Sequence, residues 1–168
     1  EFAAKCLTDA PLFGRTRNAW SAAHSSGGSS GGTAVAVAAS IAPIGVATDG
    51  GGSTRIPAAC NGIVGLKQSS GLVPHSQADD VYGNLTFVTP MSRTVADTAL
   101  MLQAMAGEDA GEPWSTGVEV PDYPKASAPQ DDLRGKRVLY RAAPDGRIVS
   151  AEVEKAFRTS LAHLQDLG

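Results

Sequence analysis

Residues 25–53 read SSGGSSGGTAVAVAASIAPIGVATDGGGS, a stretch in which two Gly/Ser clusters enclose one helix and one strand. Residues 32–40 are rich in alanine and predict a short buried helix. Residues 43–48 predict a short buried strand, and the glycines of residues 49–53 predict a tight turn after it. Because a helix that returns along a strand brings its two ends together, we expect the two Gly/Ser clusters to meet in the fold.

The rest of the chain continues the alternation of helices and strands. Residues 57–60 predict a short helix that ends at Asn61-Gly62. Thr94 and Asp97 match a capping box, which predicts the start of a helix that ends at Gly107. This alternation indicates an α/β fold with a largely buried sheet.

The composition divides the sequence into three stretches. Residues 1–115 hold both Gly/Ser clusters and predict the core of one domain. Residues 116–132 are rich in proline and polar residues, which predicts a loop or linker. Residues 133–168 are expected to continue the same domain, with a strand at residues 137–140 and a helix that begins at Ser150 and carries one apolar face.

Overall composition favours a globular, cytoplasmic protein. The 168 residues are 42% hydrophobic with a net charge of −3, and the basic residues form no stripe that would indicate a nucleic-acid partner. No apolar run is long enough for a membrane span, and the first residues do not resemble a signal peptide. Cys6 and Cys60 are too few for a disulfide framework and form no C-x-x-C metal motif.

Two interpretations of residues 25–32 fit poorly. A flexible Gly/Ser linker joins autonomous segments, but a predicted buried helix follows this cluster directly, and the residues before it are too few for a domain. A phosphate-binding loop requires G-x-x-x-x-G-K-[ST]. The chain has no lysine between Lys5 and Lys67, so this motif is absent.

A third interpretation is the nucleophile elbow of an esterase. Residues 27–31 fit G-x-S-x-G with Ser29 at its centre. The elbow requires a preceding strand and a downstream acid and histidine, and His75 and His163 follow in the chain. Residues 18–24 form a poor strand, so the match is weak but stays open.

Taken together, the two clusters favour an acyl-transfer site. Ser29 and Ser53 lie 24 residues apart, and each follows two glycines and precedes a predicted helix start. Backbone can approach a substrate closely at glycine, and the free N–H groups at a helix start favour negative charge. A serine beside such N–H groups provides a nucleophile next to an oxyanion hole.

At this point the sequence resembles a known family. Residues 27–67, with PLFGRTRNAW at 11–20, GLVPHS at 71–76 and TPMSRTVADTALMLQAMAG at 89–107, resemble the amidase signature family over most of residues 8–107. The resemblance implies an α/β fold in which a mixed sheet, incomplete in this chain, is sandwiched between helices. It also implies hydrolysis of an amide C–N bond by a Ser–cis-Ser–Lys catalytic set.

Carried over residue by residue, the resemblance assigns Ser53 as the nucleophile. Ser29 becomes the bridging serine, preceded by a cis peptide bond from Gly28. A neutral lysine would accept the proton of Ser29, which in turn accepts the proton of Ser53. The oxyanion would bind to the backbone N–H groups of Gly50, Gly51, Gly52 and Ser53. This chemistry needs neither a metal nor an organic cofactor.

Four neighbouring residues are expected to support this set, together with Gly28. Ser30 would hydrogen-bond the lysine or the loop, and Thr48 flanks the turn. Asp49 is expected to hold loop amides, because a carboxylate accepts backbone N–H bonds well. Arg55 is expected to order the helix start rather than meet an anionic substrate. Cys60 is expected to be a small buried residue.

The catalytic lysine is not expected in this chain. Lys5 precedes Ser29 by 24 residues in a context unlike the family's lysine motif, and Lys67 in GLK looks structural. We therefore expect the chain to be a fragment of a longer protein and to be inactive alone.

The sequence thus predicts the catalytic core of an amidase that acts on a small-molecule amide through an acyl-enzyme. One alternative is a non-catalytic relative that keeps the fold as a binding or structural module, and another is a Ser-His-Asp esterase that uses Ser29. The expected assembly is a homodimer, or a complex of several different subunits if the protein is similar to the amidotransferases of the family.

Overall fold

The computed structural model describes residues 5–75, 85–130, 132–143 and 147–168. Its contacts divide the chain into two compact units, Glu1–Ala128 and Pro129–Gly168. No helix in these described ranges is long and apolar enough to cross a membrane. Both Gly/Ser clusters lie in the first unit.

The first unit begins with a small hairpin, which precedes the first Gly/Ser cluster. β1 (Asp9–Ala10) pairs antiparallel with β2 (Gly14–Arg15). α1 (Gly31–Ala38) starts inside the cluster and confirms the predicted helix. Its small side chains allow close packing on the sheet, and Ala34 is completely buried.

A three-stranded sheet forms the centre of the first unit. Its strands are β3 (Ile44–Asp49), β4 (Val64–Gly65) and β5 (Phe87–Ser92), in the order β3-β5-β4. Both pairings are antiparallel, so β3 and β4 run in the same direction on either side of β5. The parallel pair that a mixed sheet requires is not found among the described strands.

The central strand, β5, contains Pro90, which lacks the N–H that a ladder needs. The Pro90 carbonyl accepts a hydrogen bond from the Leu66 N–H at 3.2 Å. Since the N–H and C=O of one residue face the same side in an antiparallel pair, the missing donor also faces β4. β4 ends at Gly65, so no ladder bond of β4 is lost there.

Helices cover both faces of this sheet. α2 (Arg55–Asn61) and α1 pack on one face, where Ala34 and Ala58 contact Ala47 of β3 and Met91 of β5. α3 (Val95–Met105) packs on the other face, where Leu102 contacts Val88. The α/β class and the packing of helices on both sides of the sheet are therefore confirmed.

The stretch predicted as a loop or linker, residues 116–132, is partly ordered against α3. A turn of 3₁₀ helix (Pro113–Ser115) precedes it, and α4 (Tyr123–Ala126) lies within it. Apolar side chains of this stretch join the cluster around Leu102: Val118, Val120 and Tyr123. The prediction of a linker was wrong here because a few apolar residues suffice to fix a polar segment.

The second unit contains α5 (Ala151–Asp166), which begins as predicted with Ser150 accepting a hydrogen bond from the Val153 N–H at 3.4 Å. Residues 137–140, predicted as a strand, form none, which corrects that prediction. A strand needs a neighbouring strand to satisfy its backbone. None of the described segments pairs with these residues. That residues 133–168 continue the domain of residues 1–115 stays a prediction.

Candidate active site

The two Gly/Ser clusters meet, as the sequence predicts. The Ser30 N–H donates to the Ser53 carbonyl at 3.2 Å, which joins the start of α1 to the start of α2. Ser29 and Ser53 are both buried, with 8% and 6% of their surface exposed. Each stands on a turn that is fixed by hydrogen bonds to its own surroundings.

The first cluster passes very close to the chain segment before β1. The Gly28–Ser29 peptide bond is cis, which confirms the expectation from the resemblance. The backbone of Leu7 lies directly against Gly28. A Cβ added to Gly28 would lie 2.6 Å from both the nitrogen and the carbonyl oxygen of Leu7. Only glycine fits at this position.

Gly28→Ala is therefore expected to destabilise the protein by about 3 kcal/mol, because the new methyl group meets backbone that cannot rotate away. Gly32→Ala is the matched control. A Cβ at Gly32 meets nothing within 4 Å, and alanine in a helix adds about 0.5–1 kcal/mol of stability over glycine. Urea unfolding of the full-length protein measures both free energies of unfolding. Equal effects of the two substitutions would contradict the tight contact at Gly28.

Ser30 connects the first cluster to β3. Its hydroxyl donates to the Thr48 carbonyl at 3.2 Å and accepts from the Thr48 N–H at 3.1 Å. Thr48 is the residue before Asp49, at the end of β3. The hydroxyl thus extends the sheet by one residue and holds the first cluster against the strand that leads to Ser53. The expected supporting positions of Ser30 and Thr48 are brought together.

Asp49 organises the turn that carries Ser53. Its completely buried carboxylate accepts hydrogen bonds from the backbone N–H groups of Gly52 (2.7 Å), Thr54 (3.2 Å) and Arg55 (3.4 Å). The Arg55 guanidinium adds two further bonds, from Nε at 2.9 Å and Nη2 at 2.8 Å. Asp49 therefore holds loop amides and Arg55 orders the helix start, both as predicted.

The electrostatics of Asp49 follow from these contacts. Burial alone would raise its pKa. The hydrogen bonds from the Arg55 side chain and from the three backbone amides outweigh burial and lower the pKa from 3.8 to about 2. The same pair raises the pKa of Arg55. Asp49 is thus a fixed anion at neutral pH and not a proton carrier.

We expect the Asp49 cluster to contribute stability that depends on pH. Because the folded pKa lies below the unfolded value of 3.8, the contribution is present above about pH 4 and is lost as the pH falls through about 2. It amounts to about 2 kcal/mol at neutral pH and about half of that at about pH 3. Denaturant unfolding of wild type and Asp49→Asn at both pH values should show their difference shrink by about 1 kcal/mol. A difference that does not change with pH would contradict this assignment.

The turn departs from prediction at Gly52. Its N–H donates to Asp49, so it is not available to an oxyanion, which corrects the predicted role of Gly52 as a donor. Gly52 has a φ of +124°, a conformation that glycine adopts more readily than other residues. Gly52 closes the turn, and Gly50, Gly51 and Ser53 remain the predicted oxyanion donors.

Asn61 holds the first cluster from the end of α2, and the sequence analysis did not identify it as a site residue. This completely buried side chain donates to the carbonyls of Ser26 and Pro57, both at 2.9 Å, and accepts from the Ala19 N–H at 3.0 Å. Asn61-Gly62 indicates the end of a helix in the sequence. Nothing in the sequence indicates that the amide turns inward.

Side chains that other mechanisms would use lie in other settings. Cys60 is exposed, which corrects the expectation that it is buried. Nδ1 of His24 lies 2.8 Å from the hydroxyl of Ser21. Within the described ranges no histidine is hydrogen-bonded to the Ser29 hydroxyl, and no group of His, Cys, Asp and Glu could hold a metal ion.

Ser29 lines two clefts in the first unit. One has a volume of about 380 Å³ and lies along the β1–β2 hairpin, with Leu7 and Phe13 in its wall. The other has a volume of about 340 Å³ and lies along β3, with Ser30 and Thr48 in its wall. A further cleft of about 390 Å³ is lined by residues of the second unit alone and contains neither serine.

Comparison with known proteins agrees with this geometry. The family model described as Amidase matches residues 1–168. The chain is 40% identical to an acylamidase of Rhodococcus erythropolis over 161 residues, 96% of this chain and 33% of the relative. It is also 40% identical to a glutamyl-tRNA(Gln) amidotransferase component, the A-type subunit from Synechococcus sp. (strain JA-2-3B'a(2-13)), over 100% of this chain and 32% of the relative. A crystal structure of a bacterial aryl acylamidase of the amidase signature family superposes with a TM-score of 0.83 at 34% identity, over 98% of this chain and 33% of that one. The chain thus spans about a third of the length of these relatives.

Proposed function

Because the chain belongs to the Amidase family, we propose that it carries the nucleophile and the bridging serine of an amide hydrolase. The hydrogen bond between the Ser30 N–H and the Ser53 carbonyl supports this proposal, since it joins the two Gly/Ser clusters. A pair of buried serines on two fixed turns matches what acyl transfer requires, a nucleophile with an adjacent proton acceptor and backbone donors.

In the proposed reaction, the Ser53 oxygen attacks the carbonyl carbon of the amide. Its proton passes to Ser29, whose own proton passes to a lysine that this chain does not supply. The N–H groups of Gly50, Gly51 and Ser53 stabilise the oxyanion. The C–N bond then breaks, the departing amine takes a proton back, and water hydrolyses the acyl-enzyme. No metal or organic cofactor is required.

Covalent labelling tests this proposal on the full-length protein. A fluorophosphonate probe reacts with an activated serine, and peptide mapping should locate the label on Ser53. Label on Ser29 would favour the esterase alternative. Label on Cys60 would contradict both mechanisms. A folded protein that binds no probe and hydrolyses no amide would favour the non-catalytic alternative.

The relatives guide the proposals on substrate and assembly. The acylamidase supports a small-molecule amide as substrate. The amidotransferase relatives support a multi-subunit complex, which is the alternative to a homodimer. The mass of the full-length protein in solution, measured by light scattering with and without candidate partner proteins, separates these assemblies. The cytoplasm is the proposed location, from the composition and cysteine content.

A further inference from the structure

The Thr8 hydroxyl contacts the backbone on both sides of Ser29. It lies 3.0 Å from the Gly27 carbonyl and 3.1 Å from the Ser29 carbonyl, and it accepts from the Gly31 N–H at 3.0 Å. A hydroxyl has one proton and two lone pairs. The two carbonyls therefore share the proton, while a lone pair accepts the Gly31 N–H.

Thr8 also caps α1, which its own N-cap residue does not do. Ser30 is the N-cap, but its hydroxyl bonds to Thr48 and makes no bond to an N–H group of α1. The first N–H groups of a helix have no carbonyl partner within the helix. The Thr8 hydroxyl, 23 residues upstream, supplies that partner to Gly31.

The surroundings of Thr8 leave it little freedom. A Cβ on Gly31 would overlap the Thr8 hydroxyl and lie 2.5 Å from the Ser26 hydroxyl, so glycine permits the close approach. The Thr8 carbonyl accepts from the Thr16 N–H at 2.9 Å, which continues the β1–β2 ladder by one pair. The hairpin thus fixes Thr8, and Thr8 in turn fixes the first Gly/Ser cluster.

We propose that Thr8 is a positioning residue, which sets the direction of the Ser29 side chain for proton transfer. This inference rests on the proposed function, in which Ser29 carries a proton away from Ser53. Thr8 binds the Ser29 carbonyl and backbone groups of Gly27 and Gly31 on either side of it. Without the hydroxyl these three groups lose their partner and the cluster can shift. A misplacement of about 1 Å in a catalytic set typically costs about 10²-fold in rate.

The test compares four forms of the full-length enzyme: wild type, Thr8→Val, Thr8→Ser and Thr98→Val. Valine keeps the shape of threonine without its hydroxyl, and serine keeps the hydroxyl. Thr98 is the matched control, a buried threonine of α3 whose hydroxyl bonds to the Thr94 carbonyl at 3.0 Å and to Ser92 at 2.6 Å. The measurements are kcat, KM, the rate of fluorophosphonate labelling at Ser53 and the amide hydrogen exchange of Gly31.

Thr8→Val is expected to lower kcat and the labelling rate by about 10- to 100-fold with little change in KM, and to speed exchange at Gly31. Thr8→Ser should restore all three within about three-fold, and Thr98→Val should leave labelling unchanged even where it lowers stability. Faster exchange with an unchanged labelling rate would overturn the proposal, because Thr8 would then be only structural. An equal loss in Thr8→Ser would also overturn it. If wild type itself labels no serine, the proposed function fails, and unchanged exchange in Thr8→Val would overturn the hydrogen-bonding role of Thr8 separately.

Discussion

Replacing Ser53 with alanine in the full-length protein is expected to lower kcat by about 10⁴- to 10⁶-fold, with KM changed by no more than a few-fold. The acyl-enzyme forms through the Ser53 oxygen, and alanine offers no atom in its place. The fold should survive, because Ser53 bonds to Ser30 through its backbone carbonyl, which alanine retains. The Asp49 bonds also go to other residues of the turn and are unaffected.

A matched control separates this effect from a general one. Ser70 is an exposed serine, and Ser70→Ala should keep kcat and labelling at the wild-type level. Circular dichroism and thermal unfolding of both variants confirm that they are folded. Activity of folded Ser53→Ala within about tenfold of wild type would exclude Ser53 as the nucleophile, since loss of a nucleophile is far more costly.

Short-range signals allowed the sequence to predict α1, β3 and the turn between β3 and α2. The alanine run can only pack as a buried helix, and the glycines at residues 50–52 can only form a turn. The meeting of the clusters followed from this order of elements, and the bond from Ser30 to Ser53 confirms it. The role of Asp49 was equally accessible, because a carboxylate beside several free amides has few other uses.

Long-range pairing explains what the sequence did not predict. Pro90 argues against a central strand, yet β5 is central because β4 is too short to need the missing donor. Residues 137–140 look like a strand, yet none of the described strands pairs with them. The Gly52 N–H was assigned to a substrate from the motif, but Asp49, three residues earlier, binds it. Each error depends on which partner is close in space, and a local pattern does not contain that information.

The lysines near the first cluster are already engaged, which bears on what residues 1–168 can do alone. Lys67 donates to the Gln68 carbonyl at 2.8 Å, and its ammonium lies 3.5 Å from the centre of the Phe87 ring. Lys5 forms an ion pair with Asp9. An ammonium held by such partners keeps its proton, whereas a general base must be neutral. Neither lysine is therefore suited to accept the proton of Ser29.

Residues 1–168 expressed alone are accordingly expected to hydrolyse amides at least about 10³-fold more slowly than the full-length protein, with no fluorophosphonate label on Ser53. Without a base the Ser53 hydroxyl is a weak nucleophile, and only a residual contribution from the oxyanion donors remains. The apolar face of α5 strengthens the expectation, because none of the residues of this helix is buried and Val153 is 58% exposed. Such a surface should bind a hydrophobic dye or cause aggregation. Adding the remaining segments of the full-length protein in trans should restore both labelling and turnover, and Ser53→Ala in the same mixture is the control that should remain inactive. Turnover by the isolated chain that is lost in Ser53→Ala would show that the base lies within these 168 residues and that Lys5 or Lys67 has been misassigned.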